Sequence, residues 1–235
     1  MSPTTAAPPT LLLVAAELEA DILFGPRDAR PPWLNIHVAG VGVPADESAA
    51  EAIARTDAGL IVNPGFAGGL TADAEPGAAF VVTSWSGRQV EAMPEAAAAA
   101  ATLAAMVDAR PAVAVTVDKP AGDPTARQRL AATGAALVEM EGARWAALAS
   151  NAGLPFLSLR VISDRADNRL PRPRHELFRK NGSVRWRRWF AAVDRRPARL
   201  LDSYRKLGVA RRDWAVATES LRAMGAGISE WQRNG

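Results

Sequence analysis

Short, largely apolar runs alternate along the chain with longer segments in which apolar residues recur at helical spacing. Runs of this kind, bounded by glycine, proline or polar residues, are typical of buried strands. The predicted strands are residues 10–16, 34–39, 59–63, 78–84, 112–117, 136–140 and 155–162. The predicted helices are residues 44–58, 95–108, 124–133 and 142–151. This alternation predicts an α/β fold with a mainly parallel central sheet flanked by helices.

The last third of the chain has a different composition, rich in arginine, tryptophan and proline, with two helical stretches predicted near residues 183–208 and 211–224. From residue 165 onward there are 18 Lys+Arg and 7 Asp+Glu, against 10 and 18 in the preceding residues. This difference in net charge indicates that the C-terminal third of the chain faces a partner or surface that the rest of the chain does not. The predicted parts are a flexible N-terminus (1–9), an α/β core (10–168) and a basic helical tail (169–235) that packs on the core or extends it.

The composition excludes several kinds of site. The sequence has no cysteine, which excludes disulfides, thiolate zinc sites and a cysteine nucleophile. Its two histidines, His37 and His175, leave little room for a histidine-rich metal site. The longest apolar run, residues 96–107, is well short of the roughly 20 residues of a membrane-spanning helix. Because the start of the chain also lacks the basic residues of a secretory signal, we expect a soluble, cytoplasmic protein.

Two glycine-rich segments follow predicted strands. The first, Gly-Val-Gly-Val-Pro-Ala at residues 40–45, resembles a dinucleotide-binding turn, but the acidic residue that such a site needs about 20 positions later is replaced by Asn63. A tight turn between strand and helix is therefore the preferred interpretation. The second segment, residues 63–70, is predicted to run from the third strand into a glycine-rich turn, where a ligand can approach the backbone closely.

Carboxylates stand where predicted strands end. Glu139 and Glu141 flank Met140, and on a strand the two carboxylates would share one face. Asp164 follows Ser163 in the same way at the end of the last predicted strand. Such groups can simply cap the next helix. However, the carboxyl ends of parallel strands are also where open α/β sheets bind ligands. A similar pair, Glu17 and Glu19, follows the first strand, where the alternative is an exposed start of a helix.

Taken together, these segments resemble the purine nucleoside phosphorylase superfamily, and most of all its methylthioadenosine/S-adenosylhomocysteine nucleosidase branch. The resemblance extends from residue 11 to about residue 167. Its most specific part is Val-Glu-Met-Glu at 138–141, followed about twenty residues later by Arg-Val-Ile-Ser-Asp at 160–164. It implies an enzyme that forms a homo-oligomer and needs neither a metal ion nor a redox cofactor.

The resemblance also implies roles for matching residues. Asp164, after Ser163, matches the carboxylic acid that protonates N7 of the leaving base or forms a hydrogen bond to it. Glu141 matches the residue that holds the ribose hydroxyls, with Met140 packing on the sugar. Glu19 matches the carboxylate that activates the attacking water. The other implied substrate-binding residues are Gly65, Phe66, Ala67 and Gly68 beside the ribose, Ala121 at the edge of the base, Glu139, and Ser163.

Some positions depart from the family pattern. Phe66 stands where the nucleosidases usually have a serine, and Pro120 where they stack an aromatic side chain on adenine. These differences motivate an alternative, a nucleoside-binding module without catalytic activity. Arg27 and Arg30 are the candidates for the phosphate-binding arginine of the phosphorylases. We favour hydrolysis over phosphorolysis.

The tail has its own alternatives. Its arginine- and tryptophan-rich segment, residues 181–208, is similar to that of hopanoid-associated phosphorylases, which release adenine from a lipid-linked nucleoside. Basic, tryptophan-rich helices suit the surface of an anionic membrane, which would make the protein membrane-peripheral. The other interpretation is a helix packed on the sheet with a solvated arginine face. Nucleic-acid binding is not expected, because no recognition motif accompanies the charge.

These observations predict a nucleosidase that cleaves the N-glycosidic bond of a 5′-modified adenosine, of the methylthioadenosine/S-adenosylhomocysteine class, and releases adenine. Cleaving this bond leaves an electron-poor ribosyl cation and an electron-rich purine, so one acid must neutralise the purine while a second carboxylate handles water. The alternatives are a hopanoid-associated phosphorylase acting on adenosylhopane and the inactive nucleoside-binding module.

Overall fold

The computed structural model describes residues 8–86, 94–168 and 197–234, and of residues 94–95 and 197–210 it describes the backbone alone. The strands are β1 (Thr10–Val14), β2 (Asn35–Val38), β3 (Leu60–Gly69), β4 (Ala79–Trp85), β5 (Ala109–Thr116), β6 (Leu137–Glu139) and β7 (Phe156–Asp164). The helices are α1 (Glu17–Phe24), α2 (Asp46–Arg55), α3 (Pro94–Met106), α4 (Pro124–Ala131), α5 (Gly142–Asn151) and α6 (Pro197–Asn234), with a 3₁₀ turn (Val43–Ala45) before α2.

The strands form a sheet in the order β2-β1-β3-β6-β5-β4-β7, and β7 also pairs with β3. The strands β3 to β7 therefore close into a barrel, from which β1 and β2 extend. The pairings β3–β6 and β4–β7 are antiparallel, and the other strand pairings described are parallel. The structure confirms the predicted α/β fold with a mainly parallel sheet flanked by helices.

Strand β1 shows how the sheet is buried on both faces. Leu12 and Val14 belong to one apolar cluster, and Leu11 and Leu13 to another, because successive side chains of a strand point to opposite faces. Helices α1, α3 and α6 cover the first cluster, whereas α2 and α5 cover the second. Each of these side chains is at most 2% exposed, and burying one stabilises the fold by about 1.5–3 kcal/mol.

The second glycine-rich segment is a strand, and the prediction of a turn there was wrong. β3 continues to Gly69, pairing with β7 up to Gly68 and with β6 at Gly68 and Gly69. Glycine weakens an isolated strand. Here neighbouring strands on both sides supply backbone partners and hold the segment extended.

Helix α1 begins directly after β1, which confirms that Glu17 and Glu19 lie at the start of a helix. The helix is not an exposed one, however. Ala20, Leu23 and Phe24 are buried against the sheet. This packing fixes the direction in which the first turn of α1 points.

The C-terminal helix α6 is one continuous helix rather than the two predicted stretches. Ala217, Leu221, Met224 and Ile228 lie in the same apolar cluster as β1. Residues 169–196, and the side chains of 197–210, lie outside the described residues, and with them most of the arginine- and tryptophan-rich segment. Within the described ranges, no helix combines the length and apolarity needed to cross a membrane.

Candidate functional site

The second half of β3 runs beside a group of buried charged side chains. A Cβ atom placed on Gly65 would lie 3.0 Å from Glu19 Oε1 and 3.2 Å from Arg160 Nη1. One placed on Gly68 would lie 3.1 Å from Arg127 Nη2. The glycines therefore allow three charged groups to approach the backbone of β3 more closely than a larger residue would permit.

Glu19 reaches β3 from the first turn of α1. Its Oε1 accepts the backbone N–H of Phe66 at 2.8 Å, and its Oε2 accepts that of Ala16 at 3.1 Å. Burial raises the pKa of Glu19, and the two backbone hydrogen bonds and Arg160 offset this only in part. Glu19 is therefore a carboxyl whose proton affinity is increased while its orientation is fixed.

Arg160 lies in the middle of β7 and is 3% exposed. Its Nη1 donates to the carbonyl oxygen of Asn63 at 2.9 Å, and its Nη2 donates to Asn63 Oδ1 and, at 3.3 Å, to Glu139 Oε2. Its Nε has no hydrogen-bond partner among the described residues. The motif that carries the family resemblance contains this arginine, but its pairing with Glu139 was not predicted.

Glu139 and Glu141 do not share one face of a strand, contrary to the prediction. β6 ends at Glu139, and Glu141 is already the N-cap of α5. The Oε2 of Glu139 accepts the backbone N–H groups of Glu141 and Gly142, so this carboxylate caps α5. Its Oε1 accepts the hydroxyl of Thr116. The predicted contact of Glu139 with substrate remains a prediction, and in this structure both of its oxygens have protein partners.

Glu141 is buried beside the turn at residues 40–45. Its Oε1 accepts the backbone N–H of Gly42 at 2.6 Å, and Gly42 has the left-handed φ of +73° that this turn requires. Burial, followed by the neighbouring charge of Glu139, raises the pKa of Glu141 to about 8. Met140 lies at the same turn, and its methyl carbon is 3.4 Å from the point where a Cβ atom placed on Gly42 would lie. The segment is thus a tight turn between strand and helix, as the preferred interpretation predicts, and its backbone binds Glu141.

Asp164 stands at a bulge in the pairing of β7 with β3. Ile162 pairs with Ala67, but the next paired residue, Asp164, faces Gly68. Bulges of this kind redirect side chains and are frequent beside active sites. The Ser163 hydroxyl is 2.6 Å from Asp164 Oδ1 and 3.2 Å from the carbonyl oxygen of Ala67. The carboxyl of Asp164 is 18% exposed.

Arg127, on α4, forms an ion pair with Asp164 that no pattern in the sequence predicts. The arginine is 2% exposed. Its Nη2 donates to Asp164 Oδ2, and its Nε donates to the carbonyl oxygen of Ala121 at 2.7 Å. Since Ala121 is the residue predicted to meet the base, Arg127 connects two of the predicted site residues.

The C-terminal helix α6 passes beside Phe66 and beside the segment that follows β7. The rings of Phe66 and Trp214 are 4.9 Å apart. Asp213 accepts a hydrogen bond from Asn168 at 3.2 Å and lies 3.6 Å from Arg165 Nε, in the segment after β7. The phenylalanine that replaces the serine of the nucleosidases therefore has a structural partner in α6.

The arginine candidates for binding phosphate do not pair with the carboxylates described above. Arg30 pairs with Glu17 at 2.7 Å and with Asp21 at 2.8 Å, and Arg27 is exposed.

A hollow of about 500 Å³ is lined in part by Trp33, near the opposite end of the sheet. It contains none of the predicted residues, so the clustered carboxylates and not this hollow define the candidate site.

The predicted site residues, together with two arginines that were not predicted, thus form two groups beside β3. Glu19, Glu139, Glu141 and Arg160 are linked by an ion pair and by Coulomb interactions, and they form the glutamate–arginine cluster. Ala121, Arg127, Ser163 and Asp164 form the acid cluster. Glu19 contacts β3 at Phe66 and Asp164 pairs with it at Gly68, two residues further along the strand.

Comparisons with known proteins identify the family and the fold. A model of the phosphorylase superfamily matches residues 34–195. A 5′-methylthioadenosine/S-adenosylhomocysteine nucleosidase from Colwellia psychrerythraea, solved in complex with adenine, is 22% identical, with 68% of this chain and 84% of that chain covered and a TM-score of 0.56. A search of curated proteins found no match.

Two further structures cover nearly the whole chain. Futalosine hydrolase of Helicobacter pylori is 14% identical, with 97% of this chain and 99% of that chain covered and a TM-score of 0.66. The 5′-methylthioadenosine/S-adenosylhomocysteine nucleosidase of Campylobacter jejuni is 15% identical, with 96% and 99% covered and a TM-score of 0.66. At these identities the likeness shows a common fold.

Proposed function

Because the chain belongs to the phosphorylase superfamily, whose nucleosidases and phosphorylases act on N-glycosidic bonds, we propose that it is a nucleosidase. It hydrolyses the N-glycosidic bond of a 5′-modified adenosine and releases adenine. The proposed substrate class is that of methylthioadenosine and S-adenosylhomocysteine, after which the Colwellia and Campylobacter nucleosidases are named.

One observation carries the proposal: Glu19 and Asp164 are both held against the same short stretch of β3. Glu19 binds the N–H of Phe66, and Asp164 pairs with Gly68. These contact points are two residues apart on the strand. Glycosidases likewise use a pair of carboxyl groups beside the bond that breaks, one as acid and the other to activate water.

The proposed reaction assigns one role to each carboxyl. The C1′–N9 bond breaks, its electron pair goes to the purine, and Asp164, after taking up a proton from solvent, gives that proton to N7. The oxygen of water bonds to C1′, and Glu19 takes a proton from it. Burial raises the pKa of Glu19 and makes it a better base. The Nε–H of Arg160, which has no partner among the described residues, is a suitable donor to that water.

Glu141 and Met140 are proposed to bind the ribose. With a pKa raised to about 8, Glu141 keeps its proton at neutral pH and can both donate to one ribose hydroxyl and accept from the other. Met140 lies at the same turn and supplies an apolar surface for the sugar. Phosphorolysis is the weaker candidate, because Arg30 is already paired with two carboxylates.

The test is the release of adenine by the purified protein from methylthioadenosine, S-adenosylhomocysteine and an adenosine with a long apolar 5′ substituent. We expect turnover without phosphate. Replacing the acid by Asp164→Asn or the base by Glu19→Gln should lower kcat by about 10²–10⁴-fold. Asp57→Asn, an exposed carboxyl before the other end of β3, is the matched control and should leave the rate unchanged.

Other outcomes would identify a different function. Release of adenine that depends on phosphate would make the protein a phosphorylase, and a preference for the long apolar substituent would favour the hopanoid-associated alternative. Tight binding of nucleoside without turnover would favour the inactive binding module. A rate for Asp164→Asn equal to that of the unmodified protein would contradict the assignment of the acid.

A further inference from the structure

Arg127 makes more contacts than an ion pair requires. Besides Asp164 Oδ2, its guanidinium donates to the carbonyl oxygens of Ala121 at 2.7 Å, Gly69 at 3.4 Å, Asp164 at 3.5 Å and Arg165. The planar guanidinium, with five N–H donors in fixed directions, suits such a set of acceptors. These carbonyl groups come from three separate parts of the chain: the loop before α4, the end of β3, and the end of β7.

The contacts with carbonyl groups do not depend on whether Asp164 carries a proton. If Asp164 turns to a bound base, Arg127 therefore stays fixed by its other partners. The carboxyl itself is restrained from both sides, by Ser163 on Oδ1 and by Arg127 on Oδ2. Rotation of the carboxyl about its Cβ–Cγ bond is limited as a result, and the loop of Ala121 is held at a fixed distance from it.

We propose that Arg127 is a positioning residue for Asp164, and that it sets the orientation of the proton-donating carboxyl relative to the loop that meets the base. This inference rests on the proposed function, in which Asp164 protonates the leaving purine. Apart from its close approach to the backbone of Gly68, Arg127 contacts Asp164 and backbone carbonyl groups, and no side chain assigned to water or ribose. Its contribution should therefore be confined to the departure of the base.

Substrates with different leaving groups distinguish this positioning role of Arg127 from a merely structural role. A purine needs a proton on N7 as it leaves, whereas 4-nitrophenolate leaves readily without one. If Arg127 acts through Asp164, its removal slows the cleavage of a nucleoside far more than that of a 4-nitrophenyl riboside. A general loss of structure would slow both reactions equally. The ratio of the two rates does not depend on how much of the protein is folded.

The experiment compares Arg127→Met, Arg127→Lys, Asp164→Asn and the double variant Arg127→Met/Asp164→Asn on 5′-methylthioadenosine and on the 4-nitrophenyl riboside with the same 5′ group. We expect Arg127→Met to lower kcat/KM about 10²-fold for the nucleoside and less than about threefold for the nitrophenyl riboside. Lysine keeps the charge but not the fork of donors, so its loss should be intermediate. The double variant should be no slower than Asp164→Asn alone. Arg129→Met, exposed on the same helix, is the matched control.

Equal losses on the two substrates, or losses that multiply in the double variant, would overturn the positioning role and leave the proposed function intact. The double variant decides the question on the nucleoside alone if the nitrophenyl riboside is not cleaved. A wild-type protein that releases no base from either substrate would instead overturn the proposed function, and the role of Arg127 with it.

Discussion

Glu141 keeps its proton at neutral pH, because burial and the charge of Glu139 raise its pKa to about 8. In the unfolded chain the same carboxyl ionises near its ordinary value of 4.5. Between these two values the native state holds a proton that the unfolded state has lost. The free energy of unfolding must therefore fall as the pH rises through this window, and the contribution of Glu141 levels off above it.

Glu141→Gln tests this dependence, since the amide oxygen can still accept the N–H of Gly42 but no longer titrates. Relative to the unmodified protein, we expect the variant to gain stability steadily from about pH 4.5 to pH 8, by a few kcal/mol at about 1.4 kcal/mol for each unit of pKa shift. Urea unfolding at several pH values measures it. Glu47→Gln, exposed in the first turn of α2, is the matched control. A difference for Glu141→Gln that is constant with pH would contradict the raised pKa.

The carboxyl groups of the site could be predicted from the sequence, but the arginines that pair with them could not. Glu19, Glu141 and Asp164 are identifiable because each follows a strand and matches a position of the family motif. The motif contains Arg160 as well, but a sequence does not show which carboxylate an arginine will pair with. Arg127 lies in a polar helix whose sequence, Pro-Thr-Ala-Arg-Gln-Arg-Leu-Ala, gives no sign that one arginine is buried and the other exposed.

At the scale of elements, most strands and helices follow from local patterns, whereas their lengths depend on distant partners. β3 was predicted to end at Asn63, because glycine and proline usually end strands. Its continuation to Gly69 is fixed by pairing with β7 and β6, about 70–100 residues later in the chain. Helix α6 was predicted as two stretches for a related reason. The positions of its apolar residues are set by the core that it covers, and the local sequence does not show that core.

The crossing of α6 over α1 depends on a single glycine. A Cβ atom on Gly225 would lie 2.0 Å from the carbonyl oxygen of Leu23. Gly225→Ala should therefore destabilise the protein by about 1–3 kcal/mol through overpacking, although glycine to alanine in a helix normally stabilises by about 1 kcal/mol. The midpoint of urea unfolding measures the effect.

Ala223→Gly, at an exposed position of the same helix, calibrates helix propensity without the contact. It should destabilise by about 1 kcal/mol. An increase in stability for Gly225→Ala would show that α6 can move away from α1 without cost, and would contradict the close crossing.

For the whole molecule, the fold class is readable from the sequence but the closure of the barrel is not. Closure requires β4 to pair antiparallel with β7, so that Ala79 lies opposite Val161. No pattern within either strand specifies a partner so far away in the chain. The consequence for the site is direct, because closure brings β6 and β7, which end at Glu139 and Asp164, to the same stretch of β3.

The division into a core at residues 10–168 and a tail at residues 169–235 that packs on the core or extends it remains a prediction, and the packing of α6 argues for one folding unit. Leu221 is fully buried in the cluster that includes β1, whereas its neighbour Arg222 is exposed. If the chain is one unit, Leu221→Ala lowers the stability of the whole protein by about 2–5 kcal/mol in a single cooperative transition. Arg222→Ala, the control, changes it by less than about 0.5 kcal/mol. Calorimetry distinguishes the possibilities, because a tail that folds on its own would give a second transition, and Leu221→Ala would shift that transition alone.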